Sequence, residues 1–258
     1  MLNASSNIKS KSDVVPWRPA PAVLYVLGVF YASQIIGGIL LYLYPTVLGW
    51  SAARTSAWIT TSVSAQFAYI LFAETLSIAA IYWFLKFYNV GFPAIGLSRP
   101  RLKYLWYGLA AVPFYYLLYI ATVGVASSLI SGLDIEQKQQ IGFDSVHGAP
   151  QLIMTFISLV ILPPLAEEIM VRGFLYSSLK KAMKIRYAVV LTSLIFAAAH
   201  LPEGGAAGPL YIAALDTFVL SLVLIYLREK TGSLWPSITL HAIKNGIAFT
   251  ALFILHAR

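Results

Sequence analysis

Seven long apolar runs dominate this sequence and limit the folds that it can adopt. They occupy residues 22–44, 62–86, 104–130, 151–179, 187–201, 208–228 and 235–256. A helix needs about 20 apolar residues to cross the hydrocarbon core of a bilayer, and only 11% of the residues are charged, against about 25% in soluble domains. The sequence therefore predicts an all-α fold, a polytopic transmembrane helical bundle of about seven spans. The fifth run is short, and we expect Pro163 and Pro164 to kink or break the fourth because proline lacks an N–H donor.

Basic residues outside these runs lie mostly on one side of the predicted bundle. That side carries thirteen of them: Lys9, Lys11, Arg18, Lys86, Arg99, Arg101, Lys103, Lys180, Lys181, Lys184, Arg186, Arg228 and Lys230. The other side carries three, Arg54, Lys138 and Arg258, together with the acids Asp134, Glu136, Asp144 and Glu203. Because Lys and Arg accumulate in cytoplasmic loops, we expect residues 1–21 to form a cytoplasmic tail. The net charge of +8 then requires no nucleic-acid partner.

Ionisable and amide side chains occur inside several predicted spans, where a charge is costly and therefore a candidate for function. They are Glu74, Glu167, Glu168, Arg172, His200, Asp216, His241, Lys244 and Asn245. Helical rise, counted from the nearest basic residue on the cytoplasmic side, gives depths of roughly 16 to 22 Å. The residues at these depths are Glu74, Glu167, His200, Asp216, His241 and Asn245. We therefore expect several helices to bring polar groups to one layer of the membrane.

The first group of these residues combines a structural pair with a chemical candidate. Glu168 and Arg172 stand four positions apart on one helix face and can form an ion pair. Glu167 points about 100° away from Glu168 around the helix. We therefore assign Glu168 and Arg172 to the architecture and Glu167 to general-base chemistry on water. The alternative is that all three residues form one structural charge cluster.

Two histidines and an asparagine form the other groups. His200 ends the short fifth run, one helical turn after Phe196, and a single intramembrane histidine is more often a packed residue than a ligand. His241 and Asn245 share a helix face and could donate hydrogen bonds to an oxyanion. Alternatively, His241 could join His200 and Glu167 around a metal, or the His241 and Asn245 side chains could clasp two helices together.

Asp216 and Glu74 are the two other acids within the predicted spans. We assign Asp216 to support around the site, with Lys244 as one possible partner, and leave the role of Glu74 open. The sequence contains no cysteine, which excludes disulfides, thiol catalysis and Cys-ligated metal.

Three ordered motifs resemble those of the CPBP family of intramembrane proteases. They are Glu167-Glu168-xxx-Arg172 followed by Gly173-Phe174, Phe196-xxx-His200, and His241-xxx-Asn245 preceded by Trp235-Pro236-Ser237. This family includes the type II CAAX prenyl endopeptidases and the bacterial Abi proteins. The resemblance implies a protease core over 150–256, and we expect 22–149 to form variable N-terminal transmembrane helices.

The resemblance also implies roles for individual residues. Glu167 and His200 would activate the attacking water, and His241 and Asn245 would bind the oxyanion of the tetrahedral intermediate. The family is usually named a metalloprotease family, although the chain lacks the HExxH zinc signature. Glu167, His200 and His241 could hold zinc with one open position, or the same groups could act without a metal.

The expected activity is hydrolysis of a peptide bond in a membrane-associated protein or peptide, including prenylated CAAX proteins. The expected location is the cytoplasmic membrane of a prokaryote, as a multi-pass protein in contact with the lipid bilayer. The rival interpretation is a non-enzymatic membrane protein, either an immunity or scaffold factor or a proton-coupled transporter. Transporters often show inverted repeats, and the crowding of polar residues into the second half argues against transport.

Overall fold

The protein is a bundle of helices. The structure is a computed structural model, and it describes residues 15–137, 139, 141–202 and 208–255. The helices in these ranges are α1 (Pro19–Val47), α2 (Ala52–Thr61), α3 (Val63–Phe87), α4 (Leu102–Leu129), α5 (Gly148–Ala182), α6 (Ile185–Ala199), α7 (Tyr211–Thr231) and α8 (Trp235–Ile254). Six of them, all except α2 and α6, are long and apolar enough to cross a membrane, and α6 is a shorter apolar helix. The predicted all-α bundle of about seven spans is confirmed.

We expected Pro163 and Pro164 to kink or break α5, and the expected break is wrong, because the helix runs past both prolines. It runs as α-helix over Gly148–Phe156, π-helix over Ile157–Ile161, α-helix over Leu162–Glu167, π-helix over Glu168–Leu175 and α-helix over Tyr176–Ala182. The wider π turn ahead of Pro163 and Pro164 accommodates the missing N–H groups, because the N–H of Leu162 reaches back to the carbonyl of Ile157. The helix therefore continues. π turns are rare elements that occur frequently at functional sites.

The remaining helices pack on two sides of α5. Helices α1 and α3 pack against each other and against α5, and their core includes Trp17, Ile81, Leu85 and Phe174. On the other side, α4, α7 and α8 pack against one another, and α6 packs on α7. Many large apolar side chains on the outward faces, such as Leu24 and Leu117, are exposed, as expected for helices that contact lipid. The polar residues of the sequence analysis therefore lie between two helix groups.

A close approach of backbones positions α8. A Cβ atom at Gly108 of α4 would lie 2.6 Å from Cβ of Thr239 and 2.8 Å from the carbonyl oxygen of Pro236. Small residues allow such contact between transmembrane helices. The absence of a side chain at Gly108 therefore sets how closely α8, which carries His241 and Asn245, lies against α4.

Several of the predicted cytoplasmic segments meet at one end of the bundle. Lys180 forms an ion pair with Glu229 at 2.7 Å, and Lys181 donates to the carbonyl oxygen of Val15 at 3.0 Å. Trp17 donates to Oγ of Ser178 at 2.6 Å, so Val15 and Trp17 of the predicted tail are buried against α5. The charge count also uses Lys9, Lys11, Lys138, Glu203 and Arg258, which lie outside the described residues, as does 1–14 of the tail. The last residues of the predicted tail, 19–21, belong to α1. The cytoplasmic assignment of this end stays a prediction.

Candidate active site

A cavity of about 330 Å³ lies inside the bundle and collects the intramembrane polar residues. Helices α1 and α3 form one wall, α5, α7 and α8 form the others, and residue 200 reaches it from the end of α6. Its ionisable and amide lining from the predicted set comprises Glu74, Glu167, His200, Asp216, His241, Lys244 and Asn245. The side chains expected in one layer from helical rise thus line one cavity. Glu168 and Arg172 lie outside this lining, in the protein interior behind it.

The ion pair between Glu168 and Arg172 has the geometry expected from its spacing. NH1 of Arg172 lies 2.9 Å from Oε1 of Glu168, and both side chains are fully buried. The guanidinium of Arg172 also lies over the ring of Phe196, 4.0 Å from its centroid. A buried charge is costly unless it is paired, so these contacts make the pair part of the architecture.

Glu168 makes a second contact that the sequence analysis did not predict. Its Oε1 atom lies 3.1 Å from Nδ1 of His241 on α8. Because a carboxylate only accepts hydrogen bonds, Nδ1 of His241 is the donor and carries a proton. Nε2 then points toward the cavity, 3.8 Å from Oε2 of Glu167. Glu168 therefore fixes the orientation and the tautomer of His241.

His200 is fixed by the chain that precedes it. It caps the C-terminus of α6, and its Nδ1 lies 2.8 Å from the carbonyl oxygen of Phe196. A carbonyl oxygen accepts only, so Nδ1 carries the proton and Nε2 is the basic nitrogen. The ring packs edge-on against Phe196, with centroids 4.6 Å apart. Phe196 thus contacts both Arg172 and His200, which gives a physical reason for its place in the motif.

Asn245 is positioned by the two prolines of α5. Its Nδ2 atom donates to the carbonyl oxygen of Leu159 at 2.9 Å. In a regular helix that carbonyl would accept from the N–H four residues on, or five residues on in a π turn. Those residues are Pro163 and Pro164, which have no N–H. The double proline therefore leaves a carbonyl inside the membrane for which Asn245 supplies the donor, and the second N–H of its amide is available to the cavity.

A third cluster borders the cavity and involves Asp216. Nζ of Lys244 lies 2.9 Å from Oδ2 of Asp216, and the hydroxyl of Tyr115 donates to Oδ1 of the same carboxylate. These contacts tie α7 to α8 and to α4. Lys244 is the partner that the sequence suggested for Asp216. Tyr115 was missed, and its only sequence signal is a tyrosine hydroxyl near the middle of a span rather than at an end.

The three side chains that could hold a metal, those of Glu167, His200 and His241, all line the cavity. Within the described ranges, no group of three His, Cys, Asp or Glu side chains is arranged to hold a metal ion. Nδ1 of His241 is bound to Glu168, and its Nε2 lies 3.8 Å from Oε2 of Glu167. Glu167, His200 and His241 line one cavity, and their role as metal ligands stays a prediction.

Comparison with known proteins gives one match. Residues 149–247 match the family model described as Rce1-like, type II CAAX prenyl endopeptidase. The matched range begins in α5 and ends in α8, and it contains all three motifs but none of α1 to α4. Comparison with curated proteins and with solved structures gives no significant match.

Proposed function

We propose that this chain, which carries a CAAX-protease domain of the CPBP family at residues 149–247, hydrolyses a peptide bond of a membrane-associated substrate through water activated by Glu167 and His200. The family supports an intramembrane CAAX-type endopeptidase as the general class of activity. The observation that carries the mechanism is the shared cavity, in which Glu167 and His200 lie with His241 and Asn245 inside an apolar bundle.

General-base catalysis requires one group that takes a proton from the water, and a second acceptor holds the water in position. The carboxylate of Glu167 is one, and the basic Nε2 of His200, set by the contact of Nδ1 with Phe196, is the other. Glu167 takes the proton of the attacking water, and Nε2 of His200 holds the water by accepting a hydrogen bond from its second O–H. The water oxygen bonds to the carbonyl carbon, and Glu167 then gives the proton to the amide nitrogen as the C–N bond breaks, which releases an amine and a carboxylic acid. General-base catalysis of this kind contributes about 10²- to 10⁴-fold to the rate.

The oxyanion of the tetrahedral intermediate requires hydrogen-bond donors in a fixed position. Asn245 offers its second amide N–H, since the first is used by Leu159. His241 can donate from Nε2 only when both ring nitrogens carry protons, because Nδ1 already donates to Glu168. With His241 charged, the cations Arg172 and His241 balance the carboxylates Glu168 and Glu167, so the buried cluster as a whole is neutral. In this doubly protonated form, His241 donates from Nε2 to the developing negative charge of the oxyanion.

The substrate is a CAAX-type protein or peptide held at the membrane. Apolar residues of the cavity wall, including Phe30, Met170, Phe249 and Phe253, supply a surface for a lipid-modified or hydrophobic segment next to the polar groups. A prenylated cysteine would hold such a substrate in the bilayer, so the scissile bond could enter the cavity laterally. We place the protein as a multi-pass protein of a cytoplasmic membrane.

Cleavage of a farnesylated CAAX-type peptide by the purified chain in lipid nanodiscs tests this proposal. The peptide carries a fluorophore and a quencher on opposite sides of the expected scissile bond. We expect Glu167→Ala and His200→Ala to lower kcat by at least about 10²-fold while their unfolding temperatures stay close to that of the wild type. Wild-type cleavage by both variants would contradict the mechanism.

A trapping experiment identifies the substrate and tests the rival scaffold interpretation. Glu167→Ala in native membranes is expected to retain uncleaved proteins that the wild type releases. If the wild type cleaves no protein or peptide, and the same partners bind to wild type and variant, the chain is a binding scaffold instead.

A further inference from the structure

Helices α1 and α3, which lie outside the matched range 149–247, form the cavity wall opposite Glu167 and His200. We call this the second wall. Helix α3 presents one face to the cavity, with Tyr69, Ala73, Glu74 and Ser77 at helical spacing. Helix α1 adds Phe30, Ser33 and Gln34 in the same way. A peptide that reaches Glu167 on α5 therefore lies between the hydrolytic groups and this second wall.

Most polar groups of the second wall bind each other. Oγ of Ser77 donates to Oγ of Ser33 at 2.8 Å, and the hydroxyl of Tyr69 donates to Oε1 of Gln34 at 3.4 Å. Glu74 differs from them. Within the part of the chain that the structure describes, its carboxyl group forms neither a hydrogen bond nor an ion pair. An ionised acid inside a membrane protein is costly without a partner. A positively charged group of a bound ligand would supply that partner.

The charges around the cavity indicate what kind of ligand. Its described lining contains three carboxylates, those of Glu74, Glu167 and Asp216, and one ammonium group, that of Lys244. Lys244 is bound to Asp216 at 2.9 Å, so these two compensate each other. When it is ionised, Glu74 therefore adds negative charge to a site of low dielectric constant, where an unlike charge is attracted strongly and a like charge is repelled. A bound cation favours this ionised form.

We propose that Glu74 forms a subsite for a basic side chain of the substrate, so that the cavity prefers peptides with Lys or Arg near the scissile bond. This inference rests on the proposed function, because it concerns how the same cavity selects its peptide. Glu74 lies on the opposite wall from the hydrolytic motifs, and its role is selection of the substrate rather than chemistry on the peptide bond.

Binding measurements in an inert background test the subsite separately from catalysis. Fluorescent farnesylated CAAX-type peptides carry Lys or its uncharged analogue norleucine at one position at a time. Their Kd values are measured with Glu167→Gln protein in phosphatidylcholine nanodiscs, which have no net lipid charge. At one or two positions we expect the Lys peptide to bind about tenfold more tightly than the norleucine peptide, as a desolvated charge pair allows. Equal affinity at every position would overturn the subsite.

Substitutions at position 74 assign the preference to this residue. Adding Glu74→Gln is expected to abolish the Lys preference and to leave the norleucine affinity unchanged, and Glu74→Asp is expected to retain part of the preference. Asp134→Asn is the matched control, because it removes one exposed carboxylate outside the cavity lining. A Lys preference that persists in Glu74→Gln would overturn the proposal. Loss of norleucine-peptide binding in Glu74→Gln would also overturn it, by making Glu74 a structural residue.

The two proposals fail in distinguishable ways. If wild type cleaves no peptide but Glu74 still confers the Lys preference, the proposed hydrolysis is wrong and the subsite stands. If wild type cleaves Lys and norleucine peptides with the same kcat/KM, and their Kd values are equal, hydrolysis stands and the subsite is wrong.

Discussion

Glu168 holds His241 through a hydrogen bond of 3.1 Å between Oε1 and Nδ1, and the same oxygen accepts from Arg172 at 2.9 Å. One carboxylate oxygen thus joins the structural ion pair of α5 to the imidazole of α8. In the ion pair, the charges of Glu168 and Arg172 compensate each other. The pair also orients the imidazole of His241 in the candidate active site. From the sequence alone we assign Glu168 to the architecture and Glu167 to the chemistry. The contact with His241 shows that Glu168 also orients a candidate active-site residue.

Replacement of Glu168 by Gln should separate the charge of this residue from its shape. Glu168→Gln keeps an oxygen that can accept from His241, but it removes the negative charge that balances Arg172 and an imidazolium at His241. Because the buried guanidinium of Arg172 loses its anion, the variant is also expected to be less stable, and its kinetics are measured at a temperature where it stays folded. We expect kcat to fall by about tenfold or more with KM nearly unchanged, since the loss concerns the transition state. Steady-state kinetics on the farnesylated peptide measures this. An increase of KM alone would assign Glu168 to substrate binding.

Replacement of Arg172 by Ala should damage the fold before it damages the chemistry. Arg172→Ala leaves the buried carboxylate of Glu168 without its cation and exposes a face of Phe196. Removing one partner of a buried ion pair costs about 3–5 kcal/mol, so we expect low yield and a lower unfolding temperature in detergent. Arg186→Ala, which removes an exposed arginine at the start of α6, is the control. Normal stability of Arg172→Ala would contradict the structural role.

The sequence predicts contacts within one helix better than contacts between helices. Helical spacing predicts the pair of Glu168 with Arg172, because residues four apart on one helix must be neighbours. Helical rise predicts that Glu167, His200 and His241 share a depth, and all three line the cavity. The rotation of each helix about its axis is set by packing between helices, so the contact of Glu168 with His241 had no signal in the sequence.

The prolines of α5 show a different limit. A missing N–H predicts a disturbed helix, but whether the chain kinks, ends or widens depends on the donors that neighbouring helices supply. Here a π turn and Asn245 satisfy the backbone, so α5 continues. The pattern Pro163-Pro164 could have predicted an unsatisfied carbonyl at Leu159, although not which side chain binds it.

If Glu167 and His200 activate the water without a metal, removal of metal ions leaves cleavage unchanged. Activity is measured before and after treatment with 1,10-phenanthroline, and the metal content of the purified protein is measured by mass spectrometry. A zinc-dependent peptidase in the same assay verifies that the chelator works. Loss of cleavage that added zinc restores would establish the metal-assisted alternative, with Glu167, His200 and His241 drawn together around the ion.

Two glycines of α4 form a matched pair for testing helix packing. A methyl group at Gly108 would meet Thr239 at 2.6 Å, whereas a methyl group at Gly124 meets nothing within 4 Å. We expect Gly108→Ala to destabilise the protein by about 1–3 kcal/mol, as overpacking does, and to lower activity by displacing α8. Gly124→Ala should leave both unchanged. Thermal unfolding in detergent and peptide cleavage measure the two effects, and equal behaviour of the variants would contradict the close approach of α4 and α8.

Restoring a backbone donor to α5 should disturb Asn245. Pro163→Ala gives α5 an N–H four residues after Leu159, and that group competes with Nδ2 of Asn245 for the carbonyl. We expect stable protein with reduced kcat, because the amide of Asn245 loses its fixed position. A double-mutant cycle with Asn245→Ala measures the coupling, and the two effects should not add, since both variants remove one interaction. Additive effects would show that Pro163 and Asn245 act independently.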